Sequence, residues 1–147
     1  MLRAEHAVLY PEKMQLSELT LRLAPLWPGL ELKLNNDVDI KGDRRALESI
    51  LKNIIQNAYH HGEASLINIS GTSADKNICI TLQDNGRGFS GKQERLGEAF
   101  FRHNGRSGSG IGLFFSKNLL KRMNGNLEIP AQSKTGFLIK LNLKAAQ

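Results

Sequence analysis

The chain predicts an α+β domain in which helices cover one face of a mixed, mostly antiparallel sheet. Three observations carry that expectation. Leu47, Ile50, Leu51, Ile54, Ile55 and Ala58 recur at helical spacing, which marks a helix burying one stripe. Residues 65–71 and 77–83 alternate in polarity about a polar turn, as an antiparallel hairpin does. A second helical stretch, 111–123, leads into another strand pair, 126–129 and 136–143.

Length and composition bound the problem. A chain of 147 residues suits one domain with a real core. Its 40% apolar and 23% charged content is ordinary for a soluble globular protein, so a disordered or fibrous chain is not expected. No apolar run is long enough to span a membrane, and Met1 to His6 lacks the hydrophobic segment of a signal peptide. A cytoplasmic setting is expected. The single Cys79 lies in Ile78-Cys79-Ile80-Thr81-Leu82 and reads as a packed strand thiol. The net charge of +6 favours anionic partners. The basic residues are scattered without interleaved aromatics, which argues against nucleic acid.

Taken in order, residues 1–15 show no clear period and contain Pro11; they read as a linker or the tail of an upstream helical domain, and 16–147 as the domain proper. Ser17 is placed to cap a helix from Glu18 to about Leu26, broken by Pro25 and Pro28-Gly29. Glu31 to Leu34 and Val38 to Ile40 read as two short strands, paired about Asn35-Asn36-Asp37. Asp43 caps the long helix, and Gly62 ends it where a left-handed residue is wanted. The hairpin 65–83 follows, then a Gly-rich loop from Asp84 to Gly91 and a short helical stretch, Gln93 to Phe101. Arg102 to Gly110 is polar and Gly/Ser-rich, so mobility is expected there. Ile111 to Met123 is helical, with Leu113, Phe114, Leu119, Leu120 and Met123 apolar, and Gly125 ends it.

Two carboxamides, Asn53 and Asn57, stand one turn apart at the flank of the long helix's apolar stripe. Asn is a weak helix former and costly to bury unpaired, so the pair either bonds its neighbours or awaits a ligand. Asp84-Asn85-Gly86-Arg87-Gly88-Phe89 follows a strand directly. An aspartate there is an acceptor-only group on a fixed backbone, able to hold an exocyclic amine such as that of adenine; plain turn chemistry explains the same residues equally well. Gly108-Ser109-Gly110-Ile111-Gly112-Leu113 opens a helix, whose free N–H groups and dipole favour phosphate.

Two familiar strings fail on context. Gly86-x-Gly88-x-x-Gly91 has no βαβ unit around it and no acidic residue where a ribose would need one. Gly86 to Lys92 imitates a P-loop, but Gln93 stands where Ser or Thr should hold magnesium.

Taken together, an Asn-bearing helix, Asp-x-Gly-x-Gly after a strand, a lid and Gly-x-Gly-x-Gly on a helix start resemble the ATP-binding catalytic domain of bacterial sensor histidine kinases. The likeness runs over residues 12–143. It implies the two-layer α/β sandwich of the Bergerat type, with about three helices, shared with gyrase and mismatch-repair ATPases. It implies that Asn57 holds Mg2+ on the phosphates of ATP, and that His60 and His61 fall where a phosphate-contacting base and an adenine-packing aromatic often stand. Asp84 would read adenine, with Gly86, Gly88 and Phe89 shaping the pocket. Phe100-Phe101-Arg102 resembles the F box, with Arg102 reaching phosphate or acceptor. Gly108, Ser109, Gly110, Ile111, Gly112 and Leu113 would cradle the triphosphate.

Two departures matter. The lid from Arg102 to Gly108 is short for the family, and His6 lacks the surroundings of a phosphoacceptor histidine. The chain is therefore expected to donate the γ-phosphoryl to a histidine on a separate helical domain, with a response regulator receiver domain engaged indirectly. The chain itself is expected to be monomeric and the full protein a homodimer. In related ATPases a glutamate one turn before the metal-binding Asn activates water. Here that position is Asn53, which cannot act as a general base. The alternatives are a stand-alone serine/threonine kinase of the same fold, as in anti-sigma regulators, and a nucleotide-sensing module without turnover.

Overall fold

The structure, a computed structural model, describes residues 8–60, 62–86, 109–130 and 136–144, with the side chains of 109–113 excepted. Among the described residues, seven strands and three α-helices follow in the order β1 (Pro11–Gln15), α1 (Leu16–Leu23), β2 (Glu31–Asn36), β3 (Asp39–Asp43), α2 (Arg44–His60), β4 (Leu66–Ala74), β5 (Asn77–Asp84), α3 (Ser109–Arg122), β6 (Asn126–Glu128) and β7 (Leu138–Lys144). A 3-10 turn, Ala24–Leu26, continues α1. The main sheet has the order β2-β4-β5-β7-β6, in which β2 runs parallel to β4 and the other pairs are antiparallel. Along β4, β5 and β7, Ile67, Ile69, Ile78, Ile80, Leu82, Ile139, Leu141 and Leu143 are buried, while the residues between them are less so. These side chains join Leu47, Ile50, Leu51, Ile54 and Ile55 of α2 and Leu119 and Leu120 of α3 in one core. This is the expected α/β sandwich.

Several local expectations change. Residues 11–15 are not linker: β1 pairs antiparallel with β3, from Pro11 opposite Asp43 to Gln15 opposite Asp39. Met14 is buried there, and Pro11 sits at the strand's first residue, where its missing N–H costs least. The predicted pairing of 31–34 with 38–40 does not form. Their strands go to different sheets, β2 to β4 and β3 to β1, because β2 reaches a parallel partner only after the chain has crossed over through α2. α1 starts at Leu16, not Glu18, with Gln15 at the cap position; the Glu18 carboxylate accepts the Gln15 N–H at 2.9 Å. The Ser17 N–H instead donates to Asp37 Oδ1 at 2.9 Å.

Asp43 caps α2 as expected, its Oδ1 accepting the Ala46 N–H at 2.9 Å. Its other oxygen accepts the Tyr10 N–H at 2.8 Å, so one carboxylate ties the N-terminal strand to the start of α2. At the far end, Gly62 N–H donates to the Asn57 carbonyl and Ala64 N–H to that of Ala58, at 3.2 and 3.0 Å, and Glu63 takes the left-handed conformation (φ 55°). α3 closes in the same manner through Asn124 (φ 61°), one residue before the expected Gly125.

α2 and α3 pack antiparallel. A Cβ placed on Gly42, beside the start of α2, would meet both Leu47 and the Met123 Sδ just past the end of α3, at 3.2 and 3.6 Å. Midway, Asn53 faces Ser116. The start of α3 therefore lies at the same end of the sandwich as the C-terminus of α2.

Candidate functional site

That end brings together three of the sequence-predicted elements: the last turns of α2, the loop after β5 and the N-terminus of α3. Asp84 closes β5 and is half-buried. Its backbone N–H donates to the Phe137 carbonyl at 3.0 Å. Its Oδ1 accepts the Gly86 N–H at 2.8 Å and the Phe137 N–H at 3.2 Å. Both readings of the Asp84 turn thus coexist. One oxygen serves turn chemistry, while no described residue donates to Oδ2. Burial pushes the Asp84 carboxyl above its ordinary 3.8, against the lowering effect of the bonds from Gly86 and Phe137.

Glycines let this loop approach its neighbours. A Cβ on Gly86 would run into the Gly62 carbonyl, so the strand-end loop lies directly against the end of α2. On the other side Gly136 (φ 76°) donates its N–H to the Gly86 carbonyl at 3.2 Å, and a Cβ there would strike the Asp84 carbonyl. Asn85 adds the third clamp: its Oδ1 accepts the N–H groups of Ser65 and Leu66 at 2.9 and 3.0 Å. Asp84 is therefore held from three directions, by α2, β4 and β7. Gly62 was expected only as the stop of the long helix, and Gly136 and Phe137 were not singled out in the sequence; of the three only the glycines carried any signal.

The two asparagines of α2 separate. Asn53 is half-buried, and its Nδ2 donates to Ser116 Oγ at 3.1 Å. Ser116, 0% exposed, was also missed; its signal was a serine sharing one face of α3 with Leu119, Leu120 and Met123. Asn57 is only 7% exposed, yet its carboxamide makes no hydrogen bond with any described residue. It stands on the helix end that adjoins the Asp84 loop, where its amide can serve a ligand.

His60 ends α2, exposed, with its ring edge-on to Tyr59 at 5.2 Å between centroids. Tyr59 anchors that end by donating to the Pro28 carbonyl at 3.2 Å. Ser109, Gly110, Ile111, Gly112 and Leu113 open α3, two residues earlier than expected, and the first N–H groups of a helix have no partner within it. His6, His61, Gly88, Phe89, Phe100, Phe101, Arg102 and Gly108 lie outside the described residues. Among the described residues no cluster of His, Cys, Asp and Glu could hold a metal ion. A cation here would need ligand oxygens besides the Asn57 amide.

Residues 42–147 match the family model described as histidine kinase-, DNA gyrase B-, and HSP90-like ATPase. The chain belongs to this family. Among its curated relatives, the sensor histidine kinase YcbM of Bacillus subtilis is 33% identical over 110 residues, which are 69% of this chain and 35% of that protein. The swarming motility regulation sensor protein RssA of Serratia marcescens is 36% identical over 121 residues, 76% of this chain and 26% of that protein. The chain thus spans about a third or less of these relatives. Among solved structures, the histidine kinase AdeS of Acinetobacter baumannii superposes with a TM-score of 0.78 at 17% identity, over 97% of this chain and 71% of that one. The ATP binding domain of PrrB from Mycobacterium tuberculosis gives 0.74 at 22% identity, over 93% and 98%. These two establish the shared fold, and the second spans nearly the same unit. Within the histidine kinase-like ATPase family, the expectation of an α/β sandwich holds.

Proposed function

We propose that this chain is the ATP-binding, phosphoryl-donating domain of a two-component sensor histidine kinase, with its acceptor histidine on a separate helical domain. The observation that carries the reading is the placement of two uncommitted polar groups, the buried Asn57 carboxamide and Asp84 Oδ2, at the end of the sandwich where α3 begins. Asp84 Oδ2 accepts the exocyclic N–H of adenine, while Gly86 keeps side chains clear of the base. The α3 N-terminus, with Gly108 to Leu113, receives the phosphates through backbone N–H groups. The donor set fits magnesium, which takes one or two protein oxygens and completes its shell with phosphate oxygens and water. Asn57 would hold it, and bound there it neutralises developing phosphate charge.

Asn53 cannot abstract a proton from water, and its amide is turned to α3. The site is therefore suited to keeping ATP intact until a nucleophile arrives in line, which an acceptor imidazole is. Arg102 is assigned a contact to phosphate or acceptor, and His60 and His61 the phosphate and adenine sides of the pocket. The full protein is proposed to act as a homodimer in the cytoplasm and to pass its phosphoryl group on to a response regulator.

The test supplies a dimeric helical acceptor domain in trans with labelled ATP and magnesium. Acid-labile, base-stable phosphate on the acceptor is expected. Tight Mg–ATP binding with no transfer to histidine, or acid-stable product on serine, would replace this reading by a sensing module or a serine/threonine kinase.

A further inference from the structure

We infer that Ser116 is a positioning residue for the triphosphate end of the site, acting through Asn53. The inference rests on the nucleotide reading above and assigns a residue that reading does not use. Ser116 is fully buried in the middle of α3, on the face that otherwise presents Leu119, Leu120 and Met123 to the core. A hydroxyl there lowers helix propensity and must be satisfied. Its Oγ accepts the Asn53 Nδ2–H at 3.1 Å, across the packing of α2 on α3.

The position of this bond gives it consequence. Aliphatic helix faces can repack at small shifts and rotations for little energy, whereas a polar pair inside a helix interface, here part-buried, favours the register in which it forms. Asn53 stands one turn before Asn57 on α2, and Ser116 about two turns after the start of α3. Because the helices are antiparallel, both distances run toward the same end. The Asn53–Ser116 bond thus sets how far the first turn of α3 stands from the Asn57 amide. Those two features must grip the same phosphate chain. Asp84 reads the base from β5 and takes its side-chain hydrogen bonds from Gly86 and Phe137, on the loop after β5 and beside β7. Register between α2 and α3 should therefore govern phosphate affinity and leave base affinity alone.

The experiment compares ATP and adenosine binding, with magnesium, in wild type, Ser116→Ala, Asn53→Ala and the double variant. Thermal melting of each is followed alongside. Ser116→Ala is expected to weaken ATP by about five- to ten-fold, as coupled neighbours do, with adenosine affinity unchanged. Asn53→Ala should do the same, and the double variant should be no worse than either single one. Equal losses for ATP and adenosine, unchanged ATP affinity in both singles, or independent losses that multiply in the double variant would each overturn the inference. Should Ser116→Ala fail to fold, Asn53→Ala, at a half-buried position, carries the same comparison by itself. A wild-type protein that binds neither ligand would overturn the nucleotide reading instead, so the two failures are distinguishable.

Discussion

The two ends of α2 are built from similar residues and treated oppositely. At the start, Asp43 spends both oxygens, one on Ala46 and one on Tyr10, and Arg44 pairs with Glu12 at 3.0 Å. At the finish, the buried Asn57 amide has no described partner and Asp84 keeps one oxygen uncommitted. Folding satisfies nearly all buried polar groups. Groups left unsatisfied beside loops that are otherwise closely tied are what a ligand site looks like before the ligand arrives. On the proposed reading, the contrast separates polar residues that hold the fold from those kept for a ligand.

The largest effect should follow from changes at the finish. Asp84→Asn keeps an oxygen for the Gly86 and Phe137 N–H groups, so the fold should persist. A misplaced amide donor now faces the adenine amine, and nucleotide affinity should fall by about 100-fold, the scale of a hydrogen bond to a charged group plus the mispairing. Titration with a fluorescent ATP analogue measures it; retained affinity would remove Asp84 from the site. Asn57→Leu should likewise abolish magnesium-dependent binding. Its unfolding free energy should stay within about 1 kcal/mol of wild type, because the carboxamide makes no hydrogen bond with a described residue for the change to break. A loss of several kcal/mol in urea denaturation would mean that the amide does hold the fold.

The reverse pattern is expected at the start. Asp43→Ala removes the cap on Ala46 and the tie to Tyr10, at a cost of about 1–2 kcal/mol. The melting temperature should drop by about 3–6 °C. Nucleotide affinity well below the melting point should not change. If it does, the two ends are coupled through α2 and the division between them is false.

How much of this was legible in the sequence follows the same division. The α2 stripe, the Asp43 cap and the hairpin β4–β5 declared themselves because periodicity and capping are local. The pairing of β1 with β3, and the parallel placement of β2 on β4, did not, since partners distant in sequence leave no local pattern. At the candidate site, Asp84, Gly86 and Asn57 were singled out by type and spacing, and the fold places them at one end of the sandwich. The two asparagines were given different roles from the resemblance, but the bond from Asn53 to Ser116 was not visible, because its partner lies in a helix 63 positions away. Gly62 and Gly136 were visible as glycines, but that their backbones meet Gly86 and Asp84 is a fact of tertiary approach.

The smallest effect concerns pH and isolates Asp84 from its surroundings. Burial raises the Asp84 carboxyl above its ordinary 3.8 in the folded state, despite the bonds from Gly86 and Phe137. The folded protein therefore holds this proton more tightly than the unfolded chain. Above the raised value the buried charge opposes folding; as pH falls through it the charge is neutralised and that penalty is relieved. On the proposed reading nucleotide recognition should respond in the opposite sense, because protonation would convert an acceptor of the adenine amine into a group that can also donate. Between the raised value and 3.8, then, Asp84 contributes a gain in stability and a loss in affinity as acid is added. Asp84→Asn should flatten both components, measured as the difference between variant and wild type in denaturation and in adenosine binding across that window. Adenosine is the informative ligand, since it has no phosphates to titrate. If wild type and Asp84→Asn run parallel in both measurements, the Asp84 carboxyl is not the group that couples folding to the base.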